Sequence, residues 1–145
     1  VQLELNEAKS YKNDLSLVLI DLDNFKEIND NYGHECGDDL LKAFCEHVSK
    51  CIRKTDTFGR YGGEEFILCL PKTSAAEAKK VVNSILDSYR KVRISPNISA
   101  QTFSAGIAQY QTGIETSNLI KQCDEALYVA KRFGRNRVCI FSQDD

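Results

Sequence analysis

The sequence Arg60-Tyr61-Gly62-Gly63-Glu64-Glu65-Phe66 lies between two apolar runs, Thr57 to Tyr61 and Phe66 to Leu70. Two strands joined by a Gly-Gly turn fit this pattern, because glycine supplies the positive φ that a tight hairpin turn demands. The turn then carries two adjacent carboxylates. A plain hairpin with solvated acids at its tip is the simplest reading, since Gly-Gly is an ordinary turn signal. The segments around the hairpin decide whether those acids serve a site.

Leu15-Ser16-Leu17-Val18-Leu19-Ile20 is nearly unbroken apolar sequence of strand length, the pattern of a strand covered on both faces. It delivers Asp21 at its carboxyl end. A short polar helix or turn is predicted from Asp23 to Tyr32, with Phe25 and Ile28 at helical spacing and Gly33 as its stop. Leu40, Leu41, Phe44, Val48 and Ile52 then follow a 3.6-residue period, which predicts an amphipathic helix from Asp38 to Lys54. After the hairpin, Pro71 to Ser74 read as a stop and an N-cap, and Ala75, Ala78, Val82, Ile85 and Tyr89 mark a second long helix. Thr102 to Ala108 alternates as a strand, with Gly106 at a point of close approach. A third long helix from Ser117 to Arg132 closes at Gly134, and Val138 to Phe141 is the last strand. This order predicts an α/β (α+β) domain, with helices on one face of a central mixed β-sheet.

With 145 residues, 42% of them hydrophobic, the chain is long enough for one domain with its own core. A net charge of -2 argues against a general nucleic-acid binder, which would carry a basic surplus. Most of the six cysteines fall at apolar positions of periodic segments, where free cysteine acts as a small hydrophobe. Zinc is disfavoured, since no Cys-x-x-Cys occurs and Cys45 and His47 diverge on a helix. No apolar run approaches the ~20 residues that span a bilayer, and no signal-peptide pattern opens the chain. A cytoplasmic domain without membrane contact is therefore expected. The sequence has no methionine and begins at Val1. The expectation is a single domain over 1–145 excised from a longer protein, with 1–11 as a connector helix from an upstream regulatory domain.

If the strand ending at Asp21 neighbours the hairpin, Asp21, Glu64 and Glu65 form a carboxylate cluster. Like charges at close range raise one another's pKa, so hard divalent cations are the natural occupants of such a cluster. Mg²⁺ suits nucleotide chemistry, because it keeps few protein ligands and shares substrate phosphates, with Mn²⁺ as an alternative. Two such ions about 4 Å apart activate an attacking hydroxyl and neutralise a transferring phosphoryl group. A residue that caps the next turn is the competing role for Asp21. An EF-hand is ruled out, because Phe25 and Lys26 occupy positions that need an oxygen ligand and a glycine.

Five motifs in order, spanning about Leu15 to the last strand, resemble the GGDEF family of diguanylate cyclases. They are Asp21 to Asp30 (DLDNFKEIND), Gly33 to Asp38 (GHECGD), Arg60 to Phe66 (RYGGEEF), Ser104 to Ala108 (SAGIA) and Asp124 to Asn136 (DEALYVAKRFGRN). The hairpin motif is the GGEEF variant, with Glu64 in place of the name-giving aspartate, a conservative exchange between carboxylates. The Leu-Thr-Gly-Leu-x-Asn-Arg stretch that usually precedes the first strand is not visible.

The resemblance implies a fold similar to class III nucleotidyl cyclases and the polymerase palm, with a ferredoxin-like core. It also implies condensation of two GTP molecules into cyclic di-GMP with release of pyrophosphate, in a homodimer that brings two bound nucleotides face to face. By resemblance, Asp21, Glu64 and the Leu22 carbonyl hold metal, and Glu65 assists the second metal or the 3′-hydroxyl. Asn29 and Asp38 would read guanine, the backbone around Asn24, Phe25 and Lys26 would meet phosphates, and Lys131 and Arg135 would clamp them; His34 and Gly63 fall in the same substrate-binding motifs. Without the family, Asp38 is equally a helix cap, and Lys131 and Arg135 are cations favoured at a helix C-terminus. Arg53 and Asp56 match the Arg-x-x-Asp site through which family members bind their own product, and an i, i+3 surface ion pair is the plainer alternative. The rival function is a domain of weak or no activity that senses cyclic di-GMP or GTP.

Overall fold

The computed structural model describes residues 14–94, 98 and 101–142. The connector expected over 1–11 lies outside them. The elements are β1 (Leu15–Leu22), α1 (Phe25–Tyr32), α2 (His34–Cys51), β2 (Thr57–Gly62), β3 (Glu65–Pro71), α3 (Ala75–Tyr89), β4 (Phe103–Gln109), α4 (Thr116–Arg132) and β5 (Arg137–Ile140). The five strands form one mixed sheet in the order β2-β3-β1-β4-β5. Its pairs are antiparallel except β4 and β5, which run parallel.

Every residue of β1 is buried, as its unbroken apolar sequence requires of a central strand. Its alternate side chains enter two different cores. Val18, Ile20 and Leu22 join Phe44 and Val48 of α2 and Val82 and Tyr89 of α3 on one face. Leu15, Leu17 and Leu19 join Leu119, Cys123 and Leu127 of α4 on the other. The expectation of helices on one face is thereby corrected, because a strand apolar on both sides exposes half its side chains unless a helix covers each face.

Gly106 explains how closely α4 can lie against the sheet. A Cβ there would come within 2.2 Å of the Cys123 carbonyl oxygen and 2.3 Å of the Leu127 nitrogen. The close approach read from the sequence is the backbone of α4 itself. Ser74 caps α3 in a full capping box with Glu77, so that helix starts where its sequence says.

Helix α2 starts four residues earlier than predicted, at His34, and ends at Cys51 rather than Lys54. Gly33 (φ 90°) both ends α1 and precedes α2, so the motif glycine at 37 falls inside the first turns of a helix. The hairpin is also tighter than predicted. Gly62 pairs with Glu65, which leaves Gly63 and Glu64 as the loop and makes Glu65 the first residue of β3. Only Gly63 of the two glycines takes positive φ, at 51°.

Candidate active site

Three elements converge at the carboxyl end of β1. Asp21 is the register partner of Glu65 across β1 and β3 and of Ser104 across β1 and β4. The Leu22 amide donates to the Glu64 carbonyl at 3.2 Å, tying the hairpin loop to the end of β1. Arg60 Nε donates to the Gly63 carbonyl at 2.8 Å, fixing the same loop from β2. The condition set by the sequence is met, since β1 neighbours β3 and brings Asp21, Leu22, Glu64 and Glu65 to one end of the sheet. The two acids nevertheless differ in setting, with Glu64 on the loop and Glu65 anchored in the sheet.

The Lys131 ammonium, from the last turn of α4, contacts the Asp21 carboxylate directly. Burial pushes the Asp21 carboxyl above its ordinary 3.8; Lys131 pulls it back, and Glu64 and Asp23 add to the rise. Glu65 is likewise raised above 4.5, first by burial and then by Asp21, with Lys131 opposing. The Asp21 and Glu65 carboxylates thus share the field of one ammonium. Among the described residues, no three His, Cys, Asp or Glu side chains are arranged as a ready metal cage. A cation that takes few protein ligands and completes its shell with phosphate oxygens and water fits this donor set, and Mg²⁺ is such a cation.

Directly after β1 the chain turns through Asn24, whose left-handed backbone (φ 59°) starts α1 at Phe25. The amides at the start of α1 have no partner within the helix, an arrangement suited to anions. Asn29, on α1, lies over α2, where a Cβ on Gly37 would fall 1.7 Å from Asn29 Oδ1. Asp38 follows, exposed, one residue on. Asn29 thus meets α2 at Gly37, the residue before Asp38, and His34 is exposed at the start of α2.

Arg135 is exposed in the turn between α4 and β5, with φ 63°. That turn is tied to Asp23, a buried carboxylate that accepts from Thr102 Oγ1 (2.7 Å), Ser104 Oγ (2.7 Å) and the Asn136 amide (2.9 Å). Sequence reasoning missed Asp23 as an organiser. The Asp-x-Asp spacing at the end of β1 was its only local signal.

Arg53 and Asp56 lie apart from this cluster. The 18 residues of α2 span about 27 Å, and Arg53 follows the end of α2 remote from Gly37. Its Nη2 donates to Asp56 Oδ1 (2.9 Å), the Pro71 carbonyl (3.0 Å) and Thr73 Oγ1 (2.9 Å). The i, i+3 ion pair is present, and it also staples the end of α2 to the end of β3.

A family model described as "Diguanylate cyclase, GGDEF domain" matches residues 1–137. The chain belongs to the GGDEF family. This GGDEF domain is 46% identical over 125 residues to diguanylate cyclase DgcM of Escherichia coli K12, covering 86% of this chain and 30% of that protein. The chain thus spans less than a third of that relative's length. The active GGEEF domain of a diguanylate cyclase from Vibrio cholerae superposes with a TM-score of 0.92 at 34% identity, over 97% of this chain and 91% of that one. The GGDEF domain of DgcB from Caulobacter crescentus, solved in complex with c-di-GMP, superposes with a TM-score of 0.89 at 30% identity, over 95% of this chain and 84% of that one. Among the described residues, no helix is long and apolar enough to cross a membrane.

Proposed function

We propose that this GGDEF domain is a diguanylate cyclase that joins two GTP molecules into cyclic di-GMP. The observation that carries the reading is the register of Asp21 opposite Glu65, with the Glu64 loop bonded to the Leu22 amide and Lys131 on the same carboxylate. In each half-reaction a 3′-oxygen bonds to the α-phosphorus of the other GTP, the bond to pyrophosphate breaks, and the hydroxyl proton leaves. Two such steps give one cyclic dinucleotide and two pyrophosphates.

Asp21, Glu64 and the Leu22 carbonyl would hold Mg²⁺ with the nucleotide's own oxygens, and Glu65 would address the second metal position or the 3′-hydroxyl. Bound there, the metal supplies Lewis acidity at the phosphate and a lowered pKa at the attacking hydroxyl. The raised pKa of Glu65 supports a role in taking that proton, since a carboxylate is a better base when its acid is weaker. Asn29 and Asp38 present an amide and a carboxylate suited to guanine, and the contact of Asn29 with Gly37, the residue before Asp38, supports one base-reading surface. The start of α1 at Asn24, Phe25 and Lys26, together with Gly63, His34, Lys131 and Arg135, forms the proposed nucleotide-binding surround.

One such site holds one GTP, so the working species is a homodimer with facing sites. Aligning the two bound reactants supplies about 7–11 kcal/mol in favourable cases. An upstream regulatory domain in a longer, cytoplasmic-facing protein would control that pairing. Arg53 and Asp56 are proposed as the product-inhibitory site, supported by the guanidinium's 55% side-chain exposure.

Incubation of concentrated protein with GTP and Mg²⁺, alongside ATP and the Glu64→Ala variant, tests the reading. Cyclic di-GMP formed only from GTP and only with Glu64 intact, rising faster than linearly with protein, is the expected result. No product together with tight cyclic di-GMP binding would replace it with the sensor function.

A further inference from the structure

Asp23 takes no part in the metal, base or phosphate roles proposed above, yet it is 2% exposed and fully used. Its Oδ1 accepts from Ser104 Oγ, and its Oδ2 accepts from both Thr102 Oγ1 and the Asn136 backbone amide. Its own amide donates to the Thr102 carbonyl at 3.1 Å. These partners come from the segment leading into β4, from β4, and from the α4–β5 turn. The carboxylate is thus a bracket that joins the end of β1 to the turn that presents Arg135.

That turn needs holding. Gly134, Arg135 and Asn136 have φ of 117°, 63° and 49°, three successive left-handed residues of which two carry side chains. Left-handed residues that carry side chains persist where their surroundings over-determine them. Here the Arg135 amide donates to the Ala130 carbonyl at 3.0 Å, and Arg90 Nε donates to Asn136 Oδ1 at 2.9 Å. The Asp23 bond to the Asn136 amide is the only one of these that refers the turn to β1, the strand bearing Asp21.

We infer that Asp23 is a positioning residue for nucleotide binding: through Asn136 it sets Arg135 and the end of α4, with Lys131, at a fixed distance from the Asp21 carboxylate. The inference rests on the proposed function, because it takes the triphosphate to lie between these groups. Asp23 acts through its acceptor geometry rather than its charge. An asparagine can reproduce most of that geometry, with its carbonyl toward Thr102 and Asn136 and its amide donating to Ser104 Oγ.

The experiment measures binding of a non-hydrolysable GTP analogue with Mg²⁺ by calorimetry, with hydrogen exchange across residues 133–137 as the second readout. Asp23→Ala is expected to bind about tenfold more weakly, the scale of one lost hydrogen bond to a charged group, and to exchange the Asn136 amide faster. Asp23→Asn is expected to restore both to within about threefold of wild type, which a charge-based role would not allow. Ser104→Ala, which removes one donor of three, keeps the test available if Asp23→Ala does not fold, and is expected to shift both readouts in the same direction. Wild-type binding from a folded Asp23→Ala, unchanged readouts in Ser104→Ala, or an Asp23→Asn defect equal to Asp23→Ala would each overturn the inference. Failure of the wild-type protein itself to bind the analogue would instead remove the proposed function.

Discussion

The Lys131 ammonium bridges α4 and the end of β1 by resting on the Asp21 carboxylate. Among the described residues, the cation in contact with the Asp21 carboxylate is thus one that the proposed function would turn toward phosphates. In the metal-free protein it offsets part of the cost of burying Asp21.

The Lys131 contact predicts a pH-dependent stability difference. Asp21 is raised above 3.8 in the fold, so its contribution is fully present below 3.8 and is lost as pH rises through the higher folded value. Lys131 limits that loss. Lys131→Met in EDTA should therefore melt below wild type at neutral pH, by about 3 °C if the partly exposed pair is worth about 1 kcal/mol. The gap should close as pH falls below 3.8. Melting curves over pH 3 to 8 check this range (about five units, wide enough to cross both states of the acid), and a gap independent of pH would assign the effect to packing instead.

Glu65→Gln carries the opposite sign. Burial and Asp21 raise Glu65 above 4.5, so the wild-type fold loses stability as pH climbs past 4.5 and Gln does not. The variant should melt higher than wild type at neutral pH without metal, the difference vanishing in acid, while turnover falls. Such an exchange of stability for activity is expected where charges are gathered for a substrate. A lower melting temperature at neutral pH would show that Glu65 is held by favourable bonds instead.

The parts of this molecule that could be read from sequence are those whose signal is local. The apolar run of β1, the glycine loop, the Ser74 cap and the close approach at Gly106 each follow from a few neighbouring residues. Helix α2 begins before the Asp38 bound because His34 to Gly37 precede the apolar period that opens at Leu40, and Gly37 lies within it under the Asn29 side chain. The placement of α4 on the opposite face was implicit in β1, whose two faces are equally apolar, but periodicity does not say which helix covers which face. The bracket at Asp23 left only the Asp-x-Asp spacing as a local trace, because its partners lie 79, 81 and 113 residues away. The Lys131 contact with Asp21 is of the same kind, and only the sheet topology brings it about.

Arg53→Ala tests two roles at once. Loss of the guanidinium leaves the Asp56 carboxylate, whose side chain is 2% exposed, and Thr73 Oγ1 without this partner. Stability should fall by about 1 kcal/mol, typical of such hydrogen bonds. If the pair is also the product site, added cyclic di-GMP should no longer slow the variant. Thermal melts and inhibition curves separate the two, and inhibition equal to wild type in a destabilised variant would leave Arg53 as a staple only.

Gly37→Ala isolates the base-reading surface from the chemistry. Alanine in a helix interior ordinarily stabilises by about 0.5–1 kcal/mol over glycine. Here the new Cβ would overlap Asn29 Oδ1, the end of a side chain that can swing away, rather than backbone. The fold should therefore survive with a melting temperature near or above wild type, while Asn29 is displaced from its place over Gly37. Affinity for a GTP analogue should drop about tenfold, as expected for one lost hydrogen bond to a buried polar partner, and preference for guanine over adenine should narrow with it. Calorimetric titration with GTP and ATP analogues measures both. Undiminished guanine preference in a well-folded Gly37→Ala protein would mean that Asn29 packs the α1–α2 junction without touching the base.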